Sequence, residues 1–327
     1  MPVRAGIPRY LGYFSFYPLW KTFFEEIGLD VITSPPTNQQ ILNDGVAEAV
    51  NDACIPIKLY HGHVVAIKDQ VDVLFVPRFV KVRKLETETF CPKFLGLPDL
   101  LRASINNLPE LLDTRVELTS GRFELFRIAR EIGERFGVSL ARITRAYILA
   151  CQALRRYRGL MCKGMLSDDA LECMEKGNQA NKRQNLGELS IAVLGYPYLV
   201  YDHVINMDLV KKLNGLGAKA FTAEMIPPGR LLREAKNMPK QMFWYYSNRA
   251  IHAAYYYLKK KRVDGIIHVT AFACGPDAML DRLMEMESKE WGRMPFLTLS
   301  IDEETGTGGV ETRLEAFIDM LKRRRVQ

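Results

Sequence analysis

The chain has 327 residues, 48% of them hydrophobic and 25% charged, and a net charge of +7. That length and composition favour two packed globular domains over one. No apolar run reaches the ~18 residues that cross a bilayer. The opening residues lack the charged-then-apolar layout of a secretory signal, so the cytoplasm is the expected compartment. Basic residues cluster at Arg155, Arg156 and Arg158 and again over 322–325. Without interleaved aromatics they read as solvated helix faces, or as a surface that steers an anionic partner, and not as a nucleic-acid stripe. Neither nucleic acid nor membrane is expected as a partner.

The first segment reads as strand and helix in alternation. A short apolar strand is predicted over 3–7, a helix over 19–27 capped by Gly28, and a second strand over 30–33 closed by Pro35 and Pro36. Residues 71–77 form an unbroken apolar run, as a parallel strand buried on both faces requires. From 123 to 176 the apolar residues recur at three and four, with Leu125, Ile128, Ile132 and Phe136 in one stripe. This predicts a connector of two or three helices, broken near Gly159, Gly164 and Ser167. A polar stretch over 176–188 then leads back into alternating strands and helices.

That last segment repeats the first. Gly6-Ile7-Pro8 is matched by Gly195-Tyr196-Pro197, 189 residues on, and Gly28 is matched at the same offset by Gly217. Val71-Asp72 is matched by Val263-Asp264 at an offset of 192. The organisation expected is an α/β lobe over 1–115, a helical connector over 116–188 and a second α/β lobe over 189–327. Ligands of open parallel sheets sit beyond the carboxyl ends of the strands, so a facing pair of lobes would share one cleft.

Six cysteines in a reducing compartment are not expected to form structural disulfides. Cys274 follows an apolar strand over 265–270, and Gly275-Pro276 after it suit a tight turn into a helix running to about 287. A thiol there meets the positive end of the helix dipole, which favours thiolate; the plainer alternative is a small buried residue in a turn. Cys91-Pro92 follows the third strand, and Cys-Pro is a common end to an iron–sulfur ligand loop. Cys54 precedes a helix starting near Ile57. Together these three occupy loop-to-helix junctions on the cleft side. Three thiols with no tight Cys-x-x-Cys pair argue against a structural zinc, which wants four closed ligands, and fit a cubane with one open iron better. Cys151, Cys162 and Cys173 are spaced by eleven and lie beside leucines in the connector, where cysteine serves as a small hydrophobe.

His61 and His63 lie one to two turns after Cys54. They are weak candidates for orienting a substrate or relaying protons, and a helix histidine with a satisfied ring explains them equally well. The acidic turn over 302–309 could bind a cation or close over the cleft, though a capping loop before a helix over 310–325 accounts for most of it. No Gly-x-x-x-x-Gly-Lys-Ser/Thr and no Gly-x-Gly-x-x-Gly after a strand is present, so nucleotide binding has no support.

Gly6-Ile7-Pro8-Arg9, Ser34-Pro35-Pro36, Cys54-Ile55-Pro56-x-Lys58, His61-Gly62-His63, Ala273-Cys274-Gly275-Pro276-Asp277 and Ile301-Asp302-Glu303-x-Thr305 recur in one family. In these motifs the chain resembles the acyl-CoA dehydratase activase-related domain, a relative of the 2-hydroxyacyl-CoA dehydratase subunits. The resemblance covers nearly the whole chain, densest in the two lobes and weakest in the connector. It implies two Rossmann-like lobes with a [4Fe-4S] cluster between them, held on Cys54, Cys91 and Cys274. It further implies an ATP-hydrolysing activase that delivers a low-potential electron, a partner that is a second dehydratase-like subunit or a second copy, and an acyl-CoA substrate. A sister group of double-cubane proteins joins two cubanes through sulfide, but its extra cysteine motif is not evident in this sequence. Three functions follow as expectations: a redox subunit of an activase-driven reductase or dehydratase, a cluster-bearing electron-transfer or assembly partner without its own substrate, and a metal-free scaffold or CoA-ester-binding module.

Overall fold

Short apolar runs separated by helices build two parallel sheets. The computed structural model describes residues 1–83, 88–119, 121–177, 187–238, 240–260 and 262–326. They fall into two units, Met1–Gly159 with Phe243–Tyr245, and Leu160–Met242 with Tyr246–Gln327. The first unit contains β1 (Arg4–Ile7), β2 (Asp30–Thr33), β3 (Val73–Phe75), β4 (Arg78–Lys81), β5 (Glu110–Leu112) and β6 (Arg115–Glu117). Its main sheet has the order β2-β1-β3-β5, and β4 pairs with β6 in a separate ribbon. The second unit contains β7 (Leu189–Gly195), β8 (Ala218–Phe221), β9 (Gly265–Ala271) and β10 (Phe296–Ile301), in the order β10-β9-β7-β8. Every pairing is parallel. Read from the second strand of each unit, the orders β2-β1-β3-β5 and β8-β7-β9-β10 are the same, so the repeat seen in the sequence is a repeat of topology.

One carboxylate per unit marks the correspondence. Asp72, just before β3, accepts a hydrogen bond from the Arg4 N–H at 2.9 Å and from the Arg4 guanidinium at 2.8 Å. Asp264, just before β9, accepts from the Ser190 N–H at 2.7 Å and is paired with Arg325 at 3.0 Å. The hydrogen bonds to Arg4 hold the Asp72 carboxyl down at about 2. By this register Arg4 matches Ser190, an offset of 186, whereas Gly6 and Gly195 in the same strands are 189 apart. Gly195 thus ends the longer β7, of 7 residues, while Gly6 is the third of the 4 in β1. Central strand β9 is buried at all seven positions, as a strand covered on both faces must be.

The helix before β2 runs Tyr13–Ile27 and ends on Gly28, whose φ of +99° lets its N–H reach Glu25 O and Phe24 O. The spacing predicts it from 19; the structure starts it at 13 and carries Pro18 inside it. The connector is three helices, Arg122–Arg135, Leu140–Cys162 and Ser167–Lys176. Gly137 at φ +69° and Gly164 at +98° separate them, while Gly159 stays within the second. Cys162 and Cys173 therefore lie on different helices, and the eleven-residue spacing traces no single helix face. Most of the polar stretch over 176–188 lies outside the described residues.

Helices Gln39–Glu48 and Ile55–Val65 cross in direct backbone contact. A Cβ on Gly62 would sit 1.8 Å from the Ile41 carbonyl oxygen, and one on Gly45 would sit 2.0 Å from that of Lys58. Neither oxygen can move without breaking its helix. Gly62→Ala should therefore lower stability by about 1–3 kcal/mol, as overpacking does. Urea unfolding checks this, and an unchanged midpoint would mean the helices cross at a looser distance.

Candidate functional site

Cys54 and Cys91 occupy the same local setting. Each is the extended residue just before a helix, with φ/ψ of −67°/153° and −64°/155°, and each is followed by a proline in the first helical turn. The Cys54 carbonyl accepts from the Ile57 N–H at 2.9 Å, and the Cys91 carbonyl from the Phe94 N–H at 3.0 Å. Cys54 is buried and Cys91 half-buried. The Lys93 ammonium donates to the Asp52 carbonyl and so ties the two cysteine loops together. The thiols are near enough to interact. Burial pushes the Cys91 thiol up and the charge of Cys54 adds to it, while the Phe94 and Lys93 amides and the Lys93 charge pull it down.

A distant piece of chain pins the Cys91 loop. Thr89 bridges to Trp244: its N–H donates to Phe243 O at 3.0 Å, and the Tyr245 N–H donates back to Thr89 O at 2.8 Å. The Thr89 hydroxyl donates to Val80 O at 2.9 Å. Phe90 packs on Phe94 at 4.8 Å and on Tyr245 at 5.3 Å. The Arg83 guanidinium, lying over the Tyr245 ring at 5.2 Å, also pairs with buried Glu88. Nothing local in the sequence announces this crossover.

Cys274 belongs to the second unit. It precedes helix Gly275–Glu290 and is half-buried, and the residue before it, Ala273, has φ +60°. Beneath it lies a charged set that the sequence did not mark as a site. His268 on β9 sits between two carboxylates, with Nδ1 2.6 Å from Asp281 Oδ1 and Nε2 3.2 Å from Asp277 Oδ1. The second is an ionic contact whose angle falls short of a hydrogen bond. Thr298 donates to Asp281 at 2.8 Å. Burial alone would lower the pKa of His268, but the close Asp277 charge and the hydrogen bond and charge of Asp281 raise it to about 9. The spacing of Asp277 and Asp281, one helical turn apart and facing a strand histidine, was the signal available.

His61 and His63 are both buried in helix Ile55–Val65. His61 Nδ1 is 2.8 Å from Ile57 O. His63 is bonded at both nitrogens, to Ser34 Oγ at 2.8 Å and Thr37 Oγ1 at 3.0 Å, and its ring stacks on Tyr10 at 5.6 Å. Ser34 Oγ also accepts from the Arg9 N–H at 2.8 Å. The ring thus ties the loops after β1 and β2 to the helix that begins at Cys54. Burial, with Arg9 nearby, lowers its pKa to about 3. The acidic turn caps itself, since Thr305 Oγ1 and the Glu304 N–H both donate to Asp302 Oδ1 at 2.6 and 3.0 Å.

At the carboxyl ends of β1 and β3 in the first unit lies a cavity of about 30 Å³ lined by Pro8, Tyr10, Trp20, Tyr60, Phe79 and Phe94. That is room for about two waters or one small group. It adjoins the helices that start at Cys54 and Cys91. Among the described residues, no group of three or more His, Cys, Asp or Glu could hold a metal ion within the structure as it stands, and no helix is long and apolar enough to cross a membrane.

Two parallel α/β units of one topology, each with a cysteine-bearing loop-to-helix junction, define the class of fold. The chain belongs to the family described as CoA enzyme activase uncharacterised domain (DUF2229), which matches residues 4–226. Residues 216–321 match 2-hydroxyglutaryl-CoA dehydratase, D-component. The chain is thus related to 2-hydroxyacyl-CoA dehydratases and their activases. The first match contains Cys54 and Cys91, and the second contains Cys274. None of the curated proteins matches the chain. Among solved structures, "Nitrogenase Cp1 at pH 5" is similar at a TM-score of 0.26 and 10% identity, over 98% of this chain and 57% of that one. The chain spans little more than half the length of that protein, and a likeness so distant carries nothing about function.

Two of the buried histidines, His63 and His268, predict opposite pH effects. His63 binds fewer protons folded than unfolded between about pH 3 and 6.5, so its contribution is full above that window and is lost as the pH falls through it. His268, raised to about 9, contributes fully below about pH 6.5 and loses that contribution as the pH rises through 9. In urea titrations of the full chain, the advantage of wild type over His268→Gln should shrink between about pH 6.5 and 10. A difference that stays constant over that range would mean that His268 is neutral in the fold.

Proposed function

We propose that this chain holds a [4Fe-4S] cluster on the thiolates of Cys54, Cys91 and Cys274, and that it is the redox subunit of a 2-hydroxyacyl-CoA dehydratase-like system driven by an ATP-hydrolysing activase. The observation that carries the reading is the Cys54–Cys91 pair, two thiols at helix starts that are near enough to interact electrostatically, with amide donors and a lysine at Cys91. That donor set fits a cluster: cysteine sulfur is its usual ligand, and hydrogen bonds to sulfur tune its potential. Bound there, the cluster would supply a low-potential electron and an open iron.

The remaining residues have supporting work. The Phe94 and Lys93 amides and the Lys93 ammonium stabilise negative charge on the Cys91 sulfur. Lys93 and the Trp244 crossover hold the Cys91 loop in place against Cys54. The aromatic cavity beside these helices is apolar and has room for one small apolar group, not for phosphates. Exposed Arg155 and Arg156 offer a basic face to an acidic partner such as the activase. The second subunit would be a further dehydratase-like chain or a second copy.

The test is iron content after purification without oxygen. Cys54→Ala, Cys91→Ala and Cys274→Ala should each lose most of the iron. Cys151→Ala, Cys162→Ala and Cys173→Ala should keep it and cost about 1 kcal/mol or less in stability. Iron loss from a connector variant, or full retention in any of the first three, would contradict this ligand set. Electron paramagnetic resonance then tests the partner: reduction by dithionite should be poor alone and complete with activase and ATP.

A further inference from the structure

The turn that presents Cys274 is held from beneath. Ala273 has φ +60°, a left-handed conformation that alanine keeps only when its surroundings enforce it. The turn is closed by the Cys274 N–H donating to Ala271 O at 3.2 Å and tied to β10 by the Phe272 N–H donating to Ile301 O at 2.9 Å, and Asp277 braces it from the helix side. Asp277 Oδ2 accepts from Thr270 Oγ1 at 2.8 Å and from the Ala271 N–H at 3.2 Å, so the last two residues of β9 are tied to the first turn of the helix beyond Cys274. Asp277 has no solvent exposure, and a carboxylate so buried needs a counter-charge. His268 supplies it, equally buried, with Asp281 completing the set. Buried ionic sets often stabilise a fold no better than apolar residues of similar volume, and are used in some proteins to fix one conformation. The element this set orders is the four-residue turn Ala271–Cys274.

We propose that Asp277, with His268 as its counter-charge, is a positioning residue for the Cys274 thiol, fixing the left-handed turn at Ala273 and with it the exposure of the sulfur. Asp277 is not a ligand in this scheme. The functional use of the device rests on Cys274 being a cluster thiol, but the geometry and its test do not.

The experiment uses the full, reduced, metal-free chain. It is treated with iodoacetamide, and the alkylation of each cysteine is followed by peptide mass spectrometry. Asp277→Ala should alkylate at Cys274 about tenfold faster than wild type, because the released turn exposes the sulfur and removes a nearby negative charge. Buried Cys54 and Cys173 should react at wild-type rates, which shows that the fold is intact. Asp277→Asn keeps an oxygen acceptor for Thr270 and Ala271 and should stay within about threefold of wild type. Should Asp277→Ala unfold, revealed by fast reaction of Cys54 and Cys173, Thr270→Val removes a single bond and should give an intermediate rate at Cys274. A wild-type rate at Cys274 in Asp277→Ala or Thr270→Val with the fold intact overturns the proposal, as does an Asp277→Asn rate equal to that of Asp277→Ala. Iron is not read in this experiment, so a protein that binds no cluster would sink the proposed function and leave the positioning result standing.

Discussion

Parallel strands cannot be joined by tight turns, so each crossover must carry the chain back across the sheet before the next strand begins. Every loop that follows a strand then emerges at one edge, and what those loops hold is decided by strand order alone. In both units the order places the first and third strands side by side, with the second outside the first. Adjacent strands whose connections depart to opposite sides leave a crevice at their carboxyl ends. In the first unit the aromatic cavity lies there. In the second unit the turn after β9 that carries Cys274 lies there. The Asp72 and Asp264 carboxylates fix the opposite ends of these strands, so the register that delivers the loops is set by the same interaction twice.

Two buried histidines show how differently one side chain can be used to order such loops. His63 is neutral, satisfied by two hydroxyls and a tyrosine ring, and binds three segments without introducing charge. His268 is charged, balanced by two carboxylates, and works by anchoring Asp277 under a strained turn. A neutral ring costs little to bury if both nitrogens are bonded, whereas an ion pair repays its desolvation only with good geometry. Close backbone approach does the remaining ordering near Cys54. With Gly45 and Gly62 in contact across two helices, the start of helix Ile55–Val65 has nowhere else to sit.

Much of this was legible in the residue order. Strand β2 falls on the range its apolar run predicts and β9 runs one residue beyond its own, since Gly28 and Pro35 bound the one and Gly275 and Pro276 follow the other. The three thiols were visible as loop-to-helix residues because proline just after a cysteine favours a helix start. Strands β4, β5 and β6 were missed; they are 3 or 4 residues long and rich in Arg and Glu, with too few alternations to register. The first turns of helix Tyr13–Ile27, which end at Pro18, were missed. The Trp244 crossover was not visible, and of the Asp277–His268–Asp281 set only the one-turn spacing of the two carboxylates was, since each joins segments whose meeting depends on the folded sheet. Sequence periodicity reports which face of an element is buried, and carries no record of which distant backbone it meets.

The central claim is that these thiols bind an iron–sulfur cluster, and counting metal on wild-type protein purified without oxygen tests it most directly. Iron and acid-labile sulfide should each be present at about four per chain, with a brown protein absorbing broadly, as a cubane on cysteine thiolates requires. Colourless protein carrying stoichiometric zinc, or no metal at all, would contradict the account.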